Sequence, residues 1–235
     1  DRVKLSLEGN DYLINEILQR KNYIIRKSVN LSKQVHIIAS NIDQAFLIVT
    51  LVSPFTSTGF IDRFLVTAEA YQVPTIIVFN KVDLYDEFDR EYHDEVVKVY
   101  SDAGYECIEV SALNQQNISV LTERMKDNVT LLSGHSGVGK STLVNAIDPN
   151  LDLLTQQVSD AHQKGMHTTT FAEMFELDFG GFIIDTPGIK GLGLVEIEDS
   201  ELADYFPEML AYKGKCKFHN CKHVNEPKCA VKSAL

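Results

Sequence analysis

Eight consecutive residues, Gly134-His135-Ser136-Gly137-Val138-Gly139-Lys140-Ser141, carry the pattern G-x-x-x-x-G-K-S, with Thr142 next. Glycines let a backbone wrap closely enough for its N–H groups to point at phosphate oxygens near a helix N-terminus. In such a loop Lys140 is placed for the β- and γ-phosphates and the Ser141 hydroxyl for Mg²⁺. The flanks are in register with that reading. Apolar residues 129–132 lead in as a strand, and Leu143, Val144 and Ile147 follow on one side of a helix. A chance Gly-rich turn would account for the loop but for neither flank.

A second set of residues suits a guanine base. Asn80-Lys81-Val82-Asp83 directly follows an apolar strand at 75–79. The Asp83 carboxylate can accept from both N1–H and the exocyclic amine of guanine, a donor pair that adenine lacks. An unmet buried acceptor is costly, so the discrimination is strong. Asn80 can bridge base and loops, and the Lys81 stem can lie along the purine face. Ser111-Ala112-Leu113 follows the next strand and offers backbone N–H groups to the guanine O6.

Three more stretches complete a nucleotide site. Asp185-Thr186-Pro187-Gly188 ends a strand at 181–184; Asp185 suits holding Mg²⁺, and the Gly188 N–H suits sensing a γ-phosphate. Gly165-Met166-His167-Thr168-Thr169-Thr170 closes a polar segment at 155–167 that reads as a mobile loop. Thr168 or Thr169 fits the Mg²⁺ shell, with Thr169 favoured. Ile189 stands where many small GTPases place a water-orienting Gln, so hydrolysis by the chain alone is expected to be slow. His167, beside those threonines, is the candidate to supply that role; a group from a partner is the other.

The elements that must position these residues follow from periodicity. Residues 1–40 read as short strands (Val3, Leu5 and Leu7 alternating, then 23–26 and 35–38) separated by polar turns such as Glu8-Gly9-Asn10-Asp11, with a basic exposed loop at 27–34. This is the remainder of a small β-barrel. From Ile42 onward strands and helices alternate. Residues 45–52 form a continuous apolar run, as in a strand covered on both faces. Ile61, Phe64, Leu65 and Ala68 repeat at helical spacing, and further helices are expected around Tyr92, Val96 and Tyr100 and at 118–126. Strands at 75–79, 106–110, 171–177 and 181–184 complete a mostly parallel α/β sheet with ligand loops at the strand ends. Neither an internal repeat nor a low-complexity tract interrupts it.

Charge and cysteine usage narrow the partners. The net charge is −11, yet residues 1–40 hold seven Lys and Arg against four Asp and Glu (+3), and residues 211–235 hold six Lys against one Glu (+5), leaving −19 between them. Two basic ends flank an acidic body, and phosphate backbones respond to local charge more than to the total. Of four cysteines, Cys216, Cys221 and Cys229 crowd the last stretch beside His219 and His223. Either histidine could complete a Cys3His set, which would be a structural zinc site in a reducing compartment. Such a site replaces a core in a segment too small to have one. Cys107, within a strand, reads as core. No apolar stretch is long enough to span a membrane and no signal peptide precedes the first strand-like segment, so a cytoplasmic monomer is expected.

These are the motifs of a regulatory GTPase in an altered order, with the guanine motif and Ser-Ala ahead of the phosphate loop. Such a circular permutation is feasible because the ends of a compact α/β domain lie close together at the surface. With a barrel fragment ahead and a Cys/His cluster behind, the chain resembles the circularly permuted, small-ribosomal-subunit-dependent GTPase family, RsgA. The resemblance covers nearly the whole chain: NKVD at 80–83, GHSGVGKST at 134–142, HTTT at 167–170, DTPG at 185–188 and the terminal cluster. It implies a partial OB-fold at 1–41, a permuted GTPase domain at 42–198 and a zinc-binding domain at 199–235. It also implies zinc on Cys216, Cys221, His223 and Cys229, Mg²⁺ with GTP or GDP, and GTP hydrolysis stimulated by the small subunit during its late maturation, with OB-fold and zinc knuckle on the rRNA. The barrel lacks its first strand or strands, and the chain stops inside an expected terminal helix. Switch II would run through Gly191-Leu192-Gly193 towards the zinc segment, so nucleotide state is expected to bias the knuckle's orientation. The competing reading is a GTP-dependent RNA- or RNP-binding switch with negligible hydrolysis of its own. A kinase using the same phosphate loop is disfavoured by Asn80-Lys81-Val82-Asp83.

Overall fold

The computed structural model describes residues 1–27, 35–151, 172–185, 197–198 and 200–234. The expected basic loop, the mobile loop with His167 to Thr170, and the stretch from Thr186 through Gly193 therefore lie wholly or largely outside the described residues.

A six-stranded sheet carries the body. Its strands are β5 (Gln44–Val49), β6 (Thr75–Phe79), β7 (Glu106–Glu109), β8 (Val129–Ser133), β9 (Glu173–Glu176) and β10 (Phe182–Asp185), in spatial order β7-β6-β5-β8-β10-β9. All neighbours are parallel except β9 and β10. Strict alternation along the strands assigns side chains to two layers. Ala45, Leu47 and Val49 pack with α1 (Thr58–Ala70) and α2 (Glu87–Asp102) on one face. Phe46 and Ile48 pack with α3 (Ile118–Met125) and α4 (Lys140–Ile147) on the other. Asp86 begins α2 as a reciprocal capping box with Asp89.

Chain order breaks at the centre of this sheet. From edge strand β7 the chain crosses to β8, which lies on the far side of β5. The carboxyl ends of β5 and β8 therefore meet at the switch point where α/β sheets place ligands.

The strand expected at 45–52 stops at Val49. Beyond it the backbone folds on itself: the Thr56 N–H donates to the Thr50 carbonyl at 2.8 Å, and the Thr50 hydroxyl donates to the Pro54 carbonyl. Ahead of the body are two antiparallel hairpins, β1 (Val3–Glu8) with β2 (Asp11–Ile17) and β3 (Tyr23–Lys27) with β4 (Val35–Ser40). β2 has no counterpart among the strands expected from sequence. The first hairpin is open to solvent on both faces, and Leu7 is 63% exposed, so its alternation marks a strand but not a covered face. The second hairpin joins the body's core through Ile24, Ala39 and Ile42. Asn22, buried there, accepts from the Ile42 N–H at 2.8 Å and donates to the Ile42 and Gln72 carbonyls. Satisfying the amide in this way fixes the hairpin's seat on the sheet.

Candidate functional site

The loop after β8 is shaped by close approaches. A Cβ on Gly134 would lie 2.4 Å from the Ile48 carbonyl oxygen, and one on Gly139 (φ +91°) would lie 2.6 Å from Asn80 Nδ2. No other residue type fits either position without moving backbone or a buried amide. Val138 is fully buried and anchors the loop, while Ser136 and Gly137 face solvent. The Lys140 ammonium donates to the Gly134 and His135 carbonyls at 2.8 and 3.0 Å, which holds it over the loop. Burial pulls its pKa down, and the Asp185 carboxylate opposes that shift. Asp185, last residue of β10, sits beside Leu132 in the parallel ladder, so the carboxylate and Lys140 approach each other across the strand ends. Ser141 and Thr142 follow in the first turn of α4.

Asn80 ties two motifs together. Its Nδ2 donates to the Val138 carbonyl at 2.8 Å, and its Oδ1 accepts from the Ala112 N–H at 3.2 Å. One buried side chain thus fixes the phosphate loop against the Ser111-Ala112 segment. Ser111, also buried, accepts from the Asn114 N–H through its hydroxyl and closes that segment on itself. Lys81 has a left-handed backbone (φ +64°) that turns its side chain back over the sheet. Its ammonium donates to the Ser53 and Gly137 carbonyls at 2.5 and 2.8 Å. Burial lowers the Lys81 pKa, with Asp83 acting in the opposite direction. The structure thus brings 80–83, 111–112, 134–142 and 185 to one edge of the sheet. His167, Thr169 and Gly188 lie outside the described residues.

Two contacts had no forecast in the sequence. The loop after β5 supplies the Ser53 carbonyl to Lys81 and packs Pro54 beside Gly137. The His135 ring lies against Phe60 of α1, centroids 3.7 Å apart. Burial, then Lys140 and Arg63, hold His135 below the usual histidine range. Position after a buried strand at the carboxyl edge was the one available signal for the 50–56 loop.

The terminal segment gathers its donors around His223 rather than His219, which is exposed. His223 Nδ1 lies 3.6, 3.5 and 3.3 Å from the sulfurs of Cys216, Cys221 and Cys229, and the Cys216 and Cys229 sulfurs are 4.0 Å apart. Thiolate–zinc bonds of about 2.3 Å and imidazole bonds of about 2.05 Å give tetrahedral edges of about 3.6 Å (S to N) and about 3.8 Å (S to S). The donors fit zinc. Backbone N–H groups of Ala230 and Lys232 point at the Cys216 and Cys229 sulfurs at 3.2 and 3.4 Å, as a thiolate requires.

A phosphate loop on the central strand, clasped by Asn-Lys-x-Asp from a strand earlier in the chain, defines a circularly permuted P-loop GTPase. A family model described as the RsgA GTPase matches residues 17–195. The small ribosomal subunit biogenesis GTPase RsgA of Christiangramia forsetii is 57% identical over 95% of this chain and 71% of its own length. That of Bacteroides fragilis is 54% identical over 100% and 76%. Among solved structures, YjeQ from Thermotoga maritima is similar at 38% identity, covering 100% of this chain and 75% of its own (TM-score 0.79). YloQ, a circularly permuted GTPase, is similar at 33%, covering 99% and 71% (TM-score 0.76). The chain belongs to the RsgA GTPase family, whose members hydrolyse GTP.

Proposed function

We propose that this chain hydrolyses GTP in the biogenesis of the small ribosomal subunit, with the site at the carboxyl ends of β5, β6, β7, β8 and β10 as its nucleotide site. The observation that carries the reading is the Asn80 clasp: one side chain bonded to both the phosphate loop and the Ser-Ala segment. In this reading Asp83 accepts from the guanine edge, Lys81 lies along the base, and Ala112 and its neighbours face O6. The loop N–H groups of 134–142 and the Lys140 ammonium hold the phosphates, with Gly188 reporting the γ-phosphate.

Ser141, Thr169 and Asp185 are the residues that would hold Mg²⁺. The ion would neutralise charge building on the β- and γ-phosphate oxygens. The chain's own part is positioning. Lys140 is already drawn over the loop, and its depressed pKa reflects a buried ammonium for which an anionic partner would compensate. With Ile189 following Gly188, that position offers no glutamine to orient water, and His167 is the group we assign to that role. Zinc on Cys216, Cys221, His223 and Cys229 would be structural, since four protein donors leave no open position.

The division into 1–41, 42–198 and 199–235, a monomeric state, a cytoplasmic location and contacts from the basic ends to rRNA belong to the same reading. Among the described residues no helix is long and apolar enough to cross a membrane. The test is GTP turnover by the full-length protein alone, with purified small subunits, and with large subunits. Stimulation by small subunits only, lost in His167→Ala with nucleotide affinity retained, is expected. Equal turnover in all three conditions would favour the GTP-dependent binding switch.

A further inference from the structure

A cavity of about 340 Å³ is walled by α1, α2 and the segment that leads into the zinc donors. Its rings are Tyr100, Tyr105, Tyr205 and Phe206, and its charged residues are Asp62, Asp102 and Glu208. Among the described residues neither lysine nor arginine lines it. Two hydroxyls are committed to carboxylates: Tyr100 donates to Asp62 at 2.8 Å and Tyr105 to Glu69 at 3.2 Å. Lys98 reaches Asp102 at 2.5 Å from the solvent side, where both are exposed. A carboxylate can accept several hydrogen bonds, so Asp62 and Glu208 keep acceptor capacity towards the cavity.

Aromatic faces beside carboxylates favour a cation, and among side chains the planar guanidinium alone can stack on rings and fork onto carboxylates together. Phosphate backbones are repelled by the same set of charges, which disfavours RNA.

The surface leading to this cavity mixes exposed apolar side chains of α2 with the exposed Glu95, which stands between Tyr92 and Val99 on the same line. Phe88, Tyr92 and Val99 of α2 fall within about 40° of one line along the helix, over about 16 Å. Phe88 is 80% and Val99 64% exposed. Phe55, from the loop that supplies Ser53 to Lys81, stacks on Tyr92 with centroids 6.3 Å apart. Val99 belongs both to this ledge and to the cavity wall. We propose that the α2 ledge and the cavity form a docking site for a protein partner, in which an arginine of an otherwise apolar segment enters the cavity. The partner is recognised by guanidinium chemistry in the cavity and by apolar contact along the ledge. Its other end then sits against the loop that holds Lys81.

The test uses the full-length, isotopically labelled protein and the peptide acetyl-Leu-Val-Arg-Leu-Val-amide, followed by two-dimensional NMR. Its citrulline counterpart keeps the shape and removes the charge. Saturable shifts at the amides of Val66, Ala103, Tyr105 and Phe206 are expected, with affinity about tenfold lower for the citrulline peptide. The pair Asp62→Asn and Glu208→Gln should weaken binding similarly, and Ala103→Trp, which fills the cavity, should abolish it while GTP affinity stays unchanged. The proposal is overturned if those amides do not shift saturably, if the citrulline peptide binds equally well, or if oligouridylate RNA produces the same shifts. GTP turnover plays no part in the readout, so this result stands apart from the small-subunit test.

Discussion

The sheet body and the zinc segment are held together by opposite means. In the body Phe46, Leu47 and Ile48 are each fully buried because helices cover both faces of the sheet. In residues 200–234 only Cys229 and Val231 are buried. Apolar burial has little to act on in the second region, and zinc on its four clustered donor atoms would replace it. The contrast leads to the expectation that the body is stable without ligand chemistry and the terminal segment is not.

Removing the metal breaks that comparison most severely. Zinc binding to small Cys/His segments is worth about 10–16 kcal/mol, which far exceeds what so few buried residues supply. Chelation, or Cys221→Ser, should therefore abolish amide-exchange protection across 200–234 while leaving the body's melting transition in place. Loss of both together would show that the body depends on the segment. Within the body, Asn80→Ala strands the Val138 carbonyl and the Ala112 N–H. It should cost about 2–4 kcal/mol in urea denaturation, because buried groups lose their partners. Exchange protection in the zinc segment should be unaffected, which sharpens the division.

The smallest effect comes from His135. Burial and two nearby cations depress its pKa in the folded protein, so the unfolded chain takes up a proton first as pH falls. Its contribution is fully present above the ordinary histidine pKa of about 6.5 and declines below it. His135→Gln should flatten the body's stability below about pH 6.5 and leave the zinc segment's pH response as it was. An unchanged slope in the variant would remove His135 from the account.

The two regions also differ in how they could be read from sequence. Chemistry that needs particular atoms at fixed spacing was legible: the phosphate loop, Asn80 to Asp83, Asp185 and the three clustered cysteines. Chain order alone revealed the permutation. The choice of His223 over His219 was open on spacing and rested on resemblance, because both imidazoles can reach three nearby thiols. The 50–56 loop was not legible, since it offers Ser53 through a backbone carbonyl that every residue carries. Its apolar lead-in also hid the strand's end at Val49, where a side-chain bond from Thr50 turns the chain. The first hairpin misled differently. Alternation at Val3, Leu5 and Leu7 identified a strand, but burial depends on what covers it, and β2 is exposed throughout.

The account's central claim is that pieces from two halves of a permuted chain form one guanine site. Nucleotide affinity of Asp83→Asn tests it most directly. An amide in place of the carboxylate keeps one acceptor for N1–H but meets the guanine amine with a donor, whereas xanthine presents a carbonyl there. GTP affinity should fall by at least about 100-fold, with xanthosine triphosphate gaining affinity in the same variant. Unchanged GTP affinity, or equal loss of both nucleotides, would contradict the claim.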